Sequence, residues 1–447
     1  MGHAQYLIFI LLLSVIFIIF MTAKIKMHAF FVLILAALGV GLLAGLPPDE
    51  IIMTIKTGFG NTLGAIGIVI VAGTSLGVVL EKTGAAISMA DFILKRVGQK
   101  NSSLAMSITG LIFGIPIFCD SGFVILSPLN KSIAARSKTS VTLMAVSLGT
   151  SLFAVHCFIP PHPGITAAAG IINIDLGQLM LIGMLISIPT ALVGFAWANT
   201  YGRKYDIPAT IASIDEKSIT NGDDLPSFYL SFIPIILPIM LIAVKSILSL
   251  FVGPLDKDIF QKTISFIGDP SVALIVGLTI SFTLIKEWKK DVLNDWLGTG
   301  VISAGSILAI TAAGGAFGAI LKATGIGVSI GEILAPLRLG IFLPFLISAG
   351  LKTAQGSSTV AVITAASLIM PLLPELNLDS GWGPLITVLS MGAGSMVASH
   401  ANDSYFWVLT KFSDLDLTVS LKVFTTATIL MGLSAQIIIY FISLFLL

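Results

Sequence analysis

The sequence predicts an all-α polytopic membrane protein built from two inverted repeats. Of its 447 residues, 56% are hydrophobic and only 11% are charged, and the mean hydropathy is +1.02. Soluble globular proteins of this length are less apolar. Long apolar stretches recur along the chain, and segments in its two halves resemble each other. With a formal net charge of +1 and no basic run, nothing indicates nucleic acid as a partner.

A spanning helix needs about 20 predominantly apolar residues. The candidate spans are Tyr6–Thr22, Ala29–Gly45, Thr62–Leu80, Val141–Phe158, Leu176–Asn199, Phe228–Phe251, Val272–Ile285, Val301–Leu321, Pro384–Ser399 and Leu421–Leu446. The first span has only His3 before it, whereas Lys24 and Lys26 follow it. A cleaved signal peptide has the opposite charge order. We therefore expect a retained first helix with an external N-terminus.

A carboxylate in apolar sequence marks a first re-entrant hairpin, Ser103–Asn130. Asp120 stands beside Ser121 and Gly122, and the apolar arms on either side are each too short to cross a bilayer. Basic residues flank both outer ends, and positive charge collects on the cytoplasmic side. Both ends should therefore lie in the cytoplasm, with the tip near Ile117–Gly122 inside the membrane. A carboxylate at that depth is a functional candidate.

The charge distribution also predicts the topology. When the spans alternate, most of the 24 Lys and Arg residues fall on one side, which we assign as cytoplasmic, and both termini become external. The hydrophilic stretch Tyr201–Pro226 is typical of a cytoplasmic linker. We expect a first repeat over residues 1–200, a linker over 201–226 and a second repeat over 227–447.

Sequence similarity between the halves supports the repeats. Val71–Ala86 resembles Ala312–Gly327 with glycines in register, and further matches follow in the same order: Ser151 with Ser395, Ala154 with Ala398, and His156 with His400. Each repeat would hold five spans and one hairpin, so the second copy would be inserted upside down. Inverted repeats are typical of alternating-access transporters. Chance similarity between Gly/Ala-rich segments is the weaker explanation, because the matches keep one order.

The second hairpin, Leu339–Met370, carries polar residues at its tip. Lys352 is followed by the segment Gln355–Thr359, whose hydroxyl and amide groups suit a polyhydroxylated or carboxylated solute. Alternatively, Ser357 or Ser358 only caps the second arm. Lys352 either contacts the substrate or extends to the membrane surface, since a buried ammonium is costly unless it is used.

Two spans are interrupted at corresponding places. His156–Thr166 contains three prolines, which cannot continue a helix, and Ser399–Trp407 is rich in polar residues. Paired broken helices mark the binding site in transporters. The alternative is that both segments are polar loops at the membrane surface.

Several titratable residues are candidates for carrying a proton. Asp120 is one, because burial disfavours its charged form, and His156, His162 and His400 are others. Alternatively, Asp120 is the N-cap of the second arm. His156, Cys157 and His162 lack a convincingly spaced fourth ligand, so we expect no metal. We expect no cofactor either, since the chain has neither a Walker A sequence nor a glycine-rich dinucleotide motif.

Four motifs in order carry a resemblance to the gluconate permease family: GFGNTLGAIGIVIVAGTSLGVVLEKTGAA, GIPIFCDSGFVILSPL, HCFIPPHPGITAAAG and AQGSSTVAVITAASLIMPLLP. The resemblance spans nearly the whole chain. It implies an inner-membrane proton symporter for a small hydroxylated monocarboxylate such as gluconate, idonate, glycerate or D-serine. It further implies the fold of the ion-transporter superfamily, with two inverted repeats, paired hairpins and an elevator-like movement. The chain lacks the Ser-Asn-Thr signatures of the sodium–dicarboxylate branch, so sodium coupling is not expected.

The resemblance places the site at Asp120–Gly122, at Gln355–Thr359 and at the breaks after His156 and His400. Together with the motifs, it yields this set of candidate substrate-binding residues: Asp120, Ser121, Gly122, Ser151, His156, Lys352, Gln355, Gly356, Ser357, Ser358, Thr359, His400, Asn402, Asp403 and Ser404. Asp120 and His156 are the candidates for proton coupling.

The expected function is proton-coupled uptake of gluconate or a related sugar acid across the inner membrane. A D-serine or glycerate symporter is the alternative within transport, and an intramembrane hydrolase is the alternative outside it. The hydrolase would need a nucleophile–base pair and gives no reason for an inverted repeat. The expected partners are the substrate, the proton, the lipid bilayer and, as an open alternative to a monomer, a second copy of the chain.

Overall fold

The computed structural model describes residues 3–205, 225–252, 255, 258–286, 290–326, 339–400 and 403–447, and within these ranges it contains helices and no strand. The helices of the first half are α1 (His3–Ile19), α2 (Ala29–Leu43), α3 (Pro48–Lys82), α4 (Ala85–Val97), α5 (Ser102–Phe113), α6 (Cys119–Ser137), α7 (Val141–Phe158), α8 (Pro163–Ile172) and α9 (Leu176–Thr200). Those of the second half are α10 (Phe228–Val252), α11 (Ile259–Ile267), α12 (Pro270–Ser281), α13 (Lys290–Ala323), α14 (Phe342–Gln355), α15 (Ser358–Ile369), α16 (Gly383–Ser395), α17 (Ser404–Phe412), α18 (Leu417–Ser420) and α19 (Thr426–Leu446).

Seven helices of the described chain are long and apolar enough to cross a bilayer, or eight if the bent pair α11–α12 counts as one span. The protein is therefore a multi-pass membrane protein. Every candidate span coincides with a helix, but α3 and α13 are much longer than predicted, at 35 and 34 residues. The predicted spans left out the polar N-terminal part of each helix, such as the part that begins Pro48-Asp49-Glu50, although this part is also helical. A helix of 35 residues is about 50 Å long, which exceeds the hydrocarbon core.

Helix α7 is the centre of the molecule. All of its residues from Val141 to Phe158 are buried. It packs against α5, α6 and α9. A helix that is apolar all round is one that belongs in the interior. The first broken span therefore lies inside the protein, and the interpretation of its break as a surface loop is wrong.

The first predicted hairpin is confirmed as a helical hairpin, α5–α6. The start of α5 and the end of α6 are joined by a hydrogen bond from Ser102 Oγ to Ser137 Oγ at 3.1 Å and by one between the Ser102 and Thr139 hydroxyls at 3.3 Å. The connection runs from Gly114 to Phe118, slightly earlier than predicted, because α6 already begins at Cys119. Asp120–Gly122 therefore lie in the first turn of α6 rather than in the connection. Which side of the membrane the open end faces stays a prediction.

The second hairpin is formed by α14 and α15, which pack against each other. Gly356 joins them in the left-handed conformation at φ +86°, which favours glycine. The backbone N–H of Gly356 donates to the Lys352 carbonyl at 2.8 Å, so the arm ends in a closed turn. The tip is therefore only two residues long, and Gln355 and Ser358 lie on either side of it.

Helices α3 and α13, which the sequence similarity pairs with each other, are antiparallel neighbours. Gly58 near the start of α3 faces Ala319 near the end of α13, and Thr74 Oγ1 donates to the Gly300 carbonyl at 2.9 Å. Antiparallel packing of two equivalent helices is what an inverted repeat requires. The repeats remain a prediction, which this contact supports. Residues 206–224 of the predicted linker lie outside the described residues.

Candidate functional site

The two hairpins meet the two broken spans at the centre of the molecule. The second arm of hairpin two, α15, packs against α8, which follows the first break. The second arm of hairpin one, α6, packs against α17, which follows the second break. The two contacts are equivalent under the predicted repeat. Together they bring four helix N-termini to the middle of the protein, where unpaired N–H groups attract negative charge.

Local sequence explains why these helices begin where they do. Pro160, Pro161 and Pro163 end α7, and Pro163 then occupies the first turn of α8, where its missing N–H is not needed. Ser357 is the N-cap of α15, since its hydroxyl accepts the Val360 N–H at 3.2 Å. The capping role predicted as an alternative for this serine is thus confirmed.

The contact between α8 and α15 is very close. A Cβ on Gly164 would lie 3.0 Å from the Thr359 Cα. Beside this contact lies a narrow cavity of about 10 Å³, which is room for about one water. It is lined by His156, Cys157, Gly164, Ile165, Ser358, Thr359, Val362 and Ser395. Hydroxyls and two helix N-termini therefore converge here, and neither α8 nor α15 contains an acidic residue.

Several buried polar atoms near the hairpin tip and the first break have no hydrogen-bond partner among the described residues. They are Nδ1 of His156, both side-chain amide atoms of Gln355, and Oγ1 of Thr166 on α8. Buried polar groups are nearly always hydrogen-bonded, so each unpaired one needs an explanation. A polar ligand with several donors and acceptors would satisfy them.

Lys352 and Asp403 form a buried ion pair. Their side chains are 0% and 5% exposed, and Lys352 Nζ lies 2.7 Å from Asp403 Oδ2. Ser399 Oγ donates to the same oxygen, and Asp403 Oδ1 caps α17 by accepting the Tyr405 N–H at 3.0 Å. The prediction that Lys352 extends to the membrane surface is therefore wrong. Its ammonium is retained because a carboxylate from the second break neutralises it.

Asp120 lies close to this pair without belonging to it. The N-cap of α6 is Phe118, so the predicted capping role of Asp120 is wrong. Its carboxylate accepts a weak hydrogen bond from the Cys119 thiol at 3.7 Å, and its helix α6 packs against α17, which Asp403 caps. The centre is therefore asymmetric, with two carboxylates at the N-termini of α6 and α17, and hydroxyls at those of α8 and α15.

Other predicted residues have different surroundings. Ser151 shares a hydrogen bond of 2.6 Å with Ser107 on α5 and does not line the cavity. His400 Nε2 lies 3.1 Å from the Thr353 carbonyl of hairpin two. Ser404 is exposed, and Asn402 lies outside the described residues.

The remaining residues of the first hairpin motif face in different directions. Gly122 is buried, and a Cβ there would lie 3.1 Å from Leu152 of α7. Ser121 lines a separate cavity of about 180 Å³ between α3, α13 and the connection of hairpin one, with Glu81 and Thr299 on its other walls. His162 Nε2 lies 2.5 Å from the Gly114 carbonyl, which ties the first break to hairpin one.

The predicted set of site residues was incomplete, since it lacked Gly164, Ile165 and Val362 of the cavity wall. Ser395 and Cys157 also line the cavity, and Phe153 lies under the Lys352 ammonium, 5.9 Å from it. Ser395 was the repeat partner of Ser151, so symmetry was a signal that would have found it. The apolar surroundings of Phe153 and Cys157 carry no such signal. Within the described chain, no group of three His, Cys, Asp or Glu residues is arranged to hold a metal ion.

Comparisons with known proteins agree with this architecture. A family model described as GntP family permease matches residues 6–445. An uncharacterized permease of Haemophilus influenzae is 36% identical over 420 residues, which cover 91% of this chain and 86% of the relative. A gluconate permease of Pseudomonas aeruginosa is 30% identical over 454 residues, or 99% of each chain.

A solved structure of MtrF from Neisseria gonorrhoeae, described as one of a class of antimetabolite efflux pumps, has the same fold. It superimposes with a TM-score of 0.65 at 14% identity and covers 94% of this chain and 96% of its own. The family resemblance drawn from the motifs is thus confirmed, and the matches are permeases and transporters, not hydrolases. The chain is a membrane transporter and belongs to the GntP permease family.

Proposed function

We propose that this permease takes up gluconate or a related sugar acid by proton symport. The observation that carries the proposal is the convergence of hydroxyls, helix N-termini and unpartnered buried polar atoms at the contact between α15 and α8. This arrangement fits a solute with one carboxylate and several hydroxyls. The Pseudomonas aeruginosa relative is a gluconate permease, which supports gluconate as the first substrate to test.

The carboxylate of the substrate would lie at the N-termini of α8 and α15. Ser358 and Thr359 offer hydroxyls there, and backbone N–H groups and the helix dipoles favour a negative charge. The sugar hydroxyls would satisfy the Gln355 amide and His156 Nδ1, for which the described part of the chain offers no partner. These groups recognise a hydroxylated acid better than an apolar one, because leaving them buried and unpaired is costly.

The narrow cavity does not admit a sugar acid, so binding requires α15 to separate from α8. Hairpin two would thus act as a gate. In the elevator-like movement that the family resemblance implies, both hairpins and both broken helices would move together past α3 and α13. We further propose an inner-membrane location with the linker in the cytoplasm and both termini outside.

Asp120 is our candidate for receiving the proton. It is largely buried at the start of α6, and no cation of the described chain neutralises it directly, since the ammonium of Lys352 is bonded to Asp403. A buried carboxylate without a directly bonded cation favours proton binding. His156 is the second candidate, because its ring lies in the substrate cavity.

Transport into proteoliposomes tests the proposal. Counterflow with labelled gluconate, idonate, glycerate and D-serine identifies the substrate, and D-serine or glycerate remains the alternative. We expect gluconate to exchange, a protonophore to abolish its uphill accumulation, and replacement of sodium to have no effect. Accumulation that follows sodium and survives the protonophore would refute proton symport.

A further inference from the structure

The Lys352–Asp403 pair joins two elements that must separate if hairpin two opens. Lys352 lies on α14, one turn before the tip, whereas Asp403 begins α17 after the second break. Both side chains are buried, in contrast to the Lys131–Asp414 pair, whose side chains are 25% and 70% exposed. A charge pair that is enclosed in this way cannot be broken without a replacement partner for each charge.

A substrate carboxylate bound in the narrow cavity would lie close to Lys352 and could replace Asp403 as its partner. Cys157, which lines the narrow cavity, lies one turn after Phe153 on α7. The ammonium lies over the ring of Phe153, and the same ring stacks with His156 in the cavity wall. The cavity and the ion pair are therefore separated by single side chains.

A second carboxylate, that of Asp120, lies near Asp403. Asp120 lies in the first turn of α6, which packs against α17, the helix that Asp403 caps, so two carboxylates belong to the centre in which Lys352 is bonded to one of them. The titratable groups that face this centre are Cys119 and Asp120 from α6, His156 and Cys157 from α7, Tyr405 from α17, and His400 from the second break. None of these is a second cation that is permanently charged.

We propose that Lys352 alternates between Asp403 and the carboxylate of the substrate, and that Asp120 and Asp403 together take up one proton each time Lys352 leaves. The inference rests on the proposed function and adds the coupling device to it. The proton leaves a hydronium ion of the solvent, so one O–H bond breaks there as one O–H bond forms on either carboxylate, and the hydrogen bond between Lys352 and Asp403 breaks. The substrate brings one negative charge and the proton one positive charge, so the net charge of the centre does not change.

Each uncoupled step leaves a buried charge without a partner. If Lys352 turned to the substrate without a proton, two carboxylates would remain with no counter-charge. If a proton bound to Asp403 without the substrate, Lys352 would lose the partner that holds it in the interior. Proton and sugar acid therefore bind together, and the proton belongs to the carboxylate pair rather than to one residue.

Proton uptake on binding tests this device in the full-length protein. Purified protein in lipid nanodiscs is mixed with gluconate in weak buffer, and a pH dye reports the protons bound while calorimetry reports the gluconate bound. We expect the wild type to take up one proton per gluconate, and its dissociation constant to rise about tenfold per pH unit at alkaline pH.

Two variants should abolish this linkage. Asp403→Asn keeps the helix cap but leaves Lys352 without a bonded carboxylate, so gluconate binding no longer strips a carboxylate of its counter-charge. Lys352→Gln leaves the pair protonated before gluconate binds. In both, proton uptake should disappear and the dissociation constant should change less than twofold per pH unit. Asp414→Asn, which breaks the exposed pair with Lys131, is the matched control and should keep one proton per gluconate. If both variants retain full proton uptake while the wild type transports gluconate, the switch is refuted and the proposed function stands.

A measurement on the wild type covers the case in which the variants do not fold. Infrared difference spectra should show a protonated carboxyl band when gluconate is added, and Asp403→Glu should shift that band. A wild type that gains no such band, although a protonophore stops its uptake, would overturn the switch alone. A wild type that neither binds a sugar acid nor responds to a protonophore would overturn the proposed function as well.

Discussion

Gly164 is the position at which a single methyl group should open the site. It lies in the first turn of α8, and its own backbone tolerates alanine. The Cβ of Gly164→Ala would stand 3.0 Å from the Thr359 Cα and 3.4 Å from Val362 Cγ1. Carbon atoms prefer a separation of about 3.5–4.0 Å. Because the closest atom belongs to the backbone of α15, the hairpin must move away by about half an ångström or more.

Such overpacking costs about 1–3 kcal/mol in a closely packed core. The cost applies to the closed arrangement, in which α15 touches α8, and not to an arrangement in which hairpin two has moved away. The equilibrium should therefore shift toward the open arrangement by roughly 5- to 150-fold. Gly350→Ala adds the same methyl group to α14, where nothing lies within 4 Å, and is the matched control.

The assay is the rate at which a cysteine at Ser358 reacts with a soluble maleimide. Cys119 and Cys157 are buried and are replaced beforehand so that the only thiol is the reporter. We expect Gly164→Ala to raise the labelling rate within the stated range and Gly350→Ala to leave it unchanged. Equal rates in both variants, with the protein still folded by thermal unfolding, would show that the contact does not control access to the site.

Three further predictions concern binding, coupling and topology. Ser358→Ala should weaken gluconate binding roughly ten- to a hundredfold, because a hydrogen bond to the substrate carboxylate is lost. The control Ser367→Ala on the same helix loses only hydrogen bonding to backbone carbonyls and should affect thermal stability alone. Equal affinities of the two variants for gluconate, measured by calorimetry, would contradict this prediction. Asp120→Asn should lose uphill accumulation of labelled gluconate in proteoliposomes while retaining counterflow, and accumulation at the wild-type level would exclude Asp120 as the proton acceptor. Cysteines at Ser102 and Lys138 should both react with an impermeant reagent from the cytoplasmic side; reaction from opposite sides would contradict the orientation of the first hairpin.

The local amino-acid sequence was enough to place the helices and the points at which they are interrupted. A run of apolar residues must satisfy its backbone hydrogen bonds internally when it enters a bilayer, and a helix is the local way to do so. The prolines at Pro160–Pro163 and the glycine at Gly356 act on their own backbone, so the first break and the second tip could be placed without any tertiary contact. The polar first turns of α3 and α13 show where this prediction fails. A helix can continue beyond the apolar segment that crosses the bilayer, so hydropathy alone does not give the ends of the helix.

Only the tertiary structure decided which of the polar residues face one another. Lys352 and Asp403 are 51 residues apart in the chain, and nothing in either local sequence names the other as its partner. The same holds for Gly164 and Thr359, whose contact brings two helix N-termini together. A buried charge must find a counter-charge, but which one it finds depends on how the hairpins dock on the broken helices. Because that docking is a long-range packing arrangement, local sequence could not show that Lys352, which was predicted to contact the substrate, forms an ion pair with Asp403.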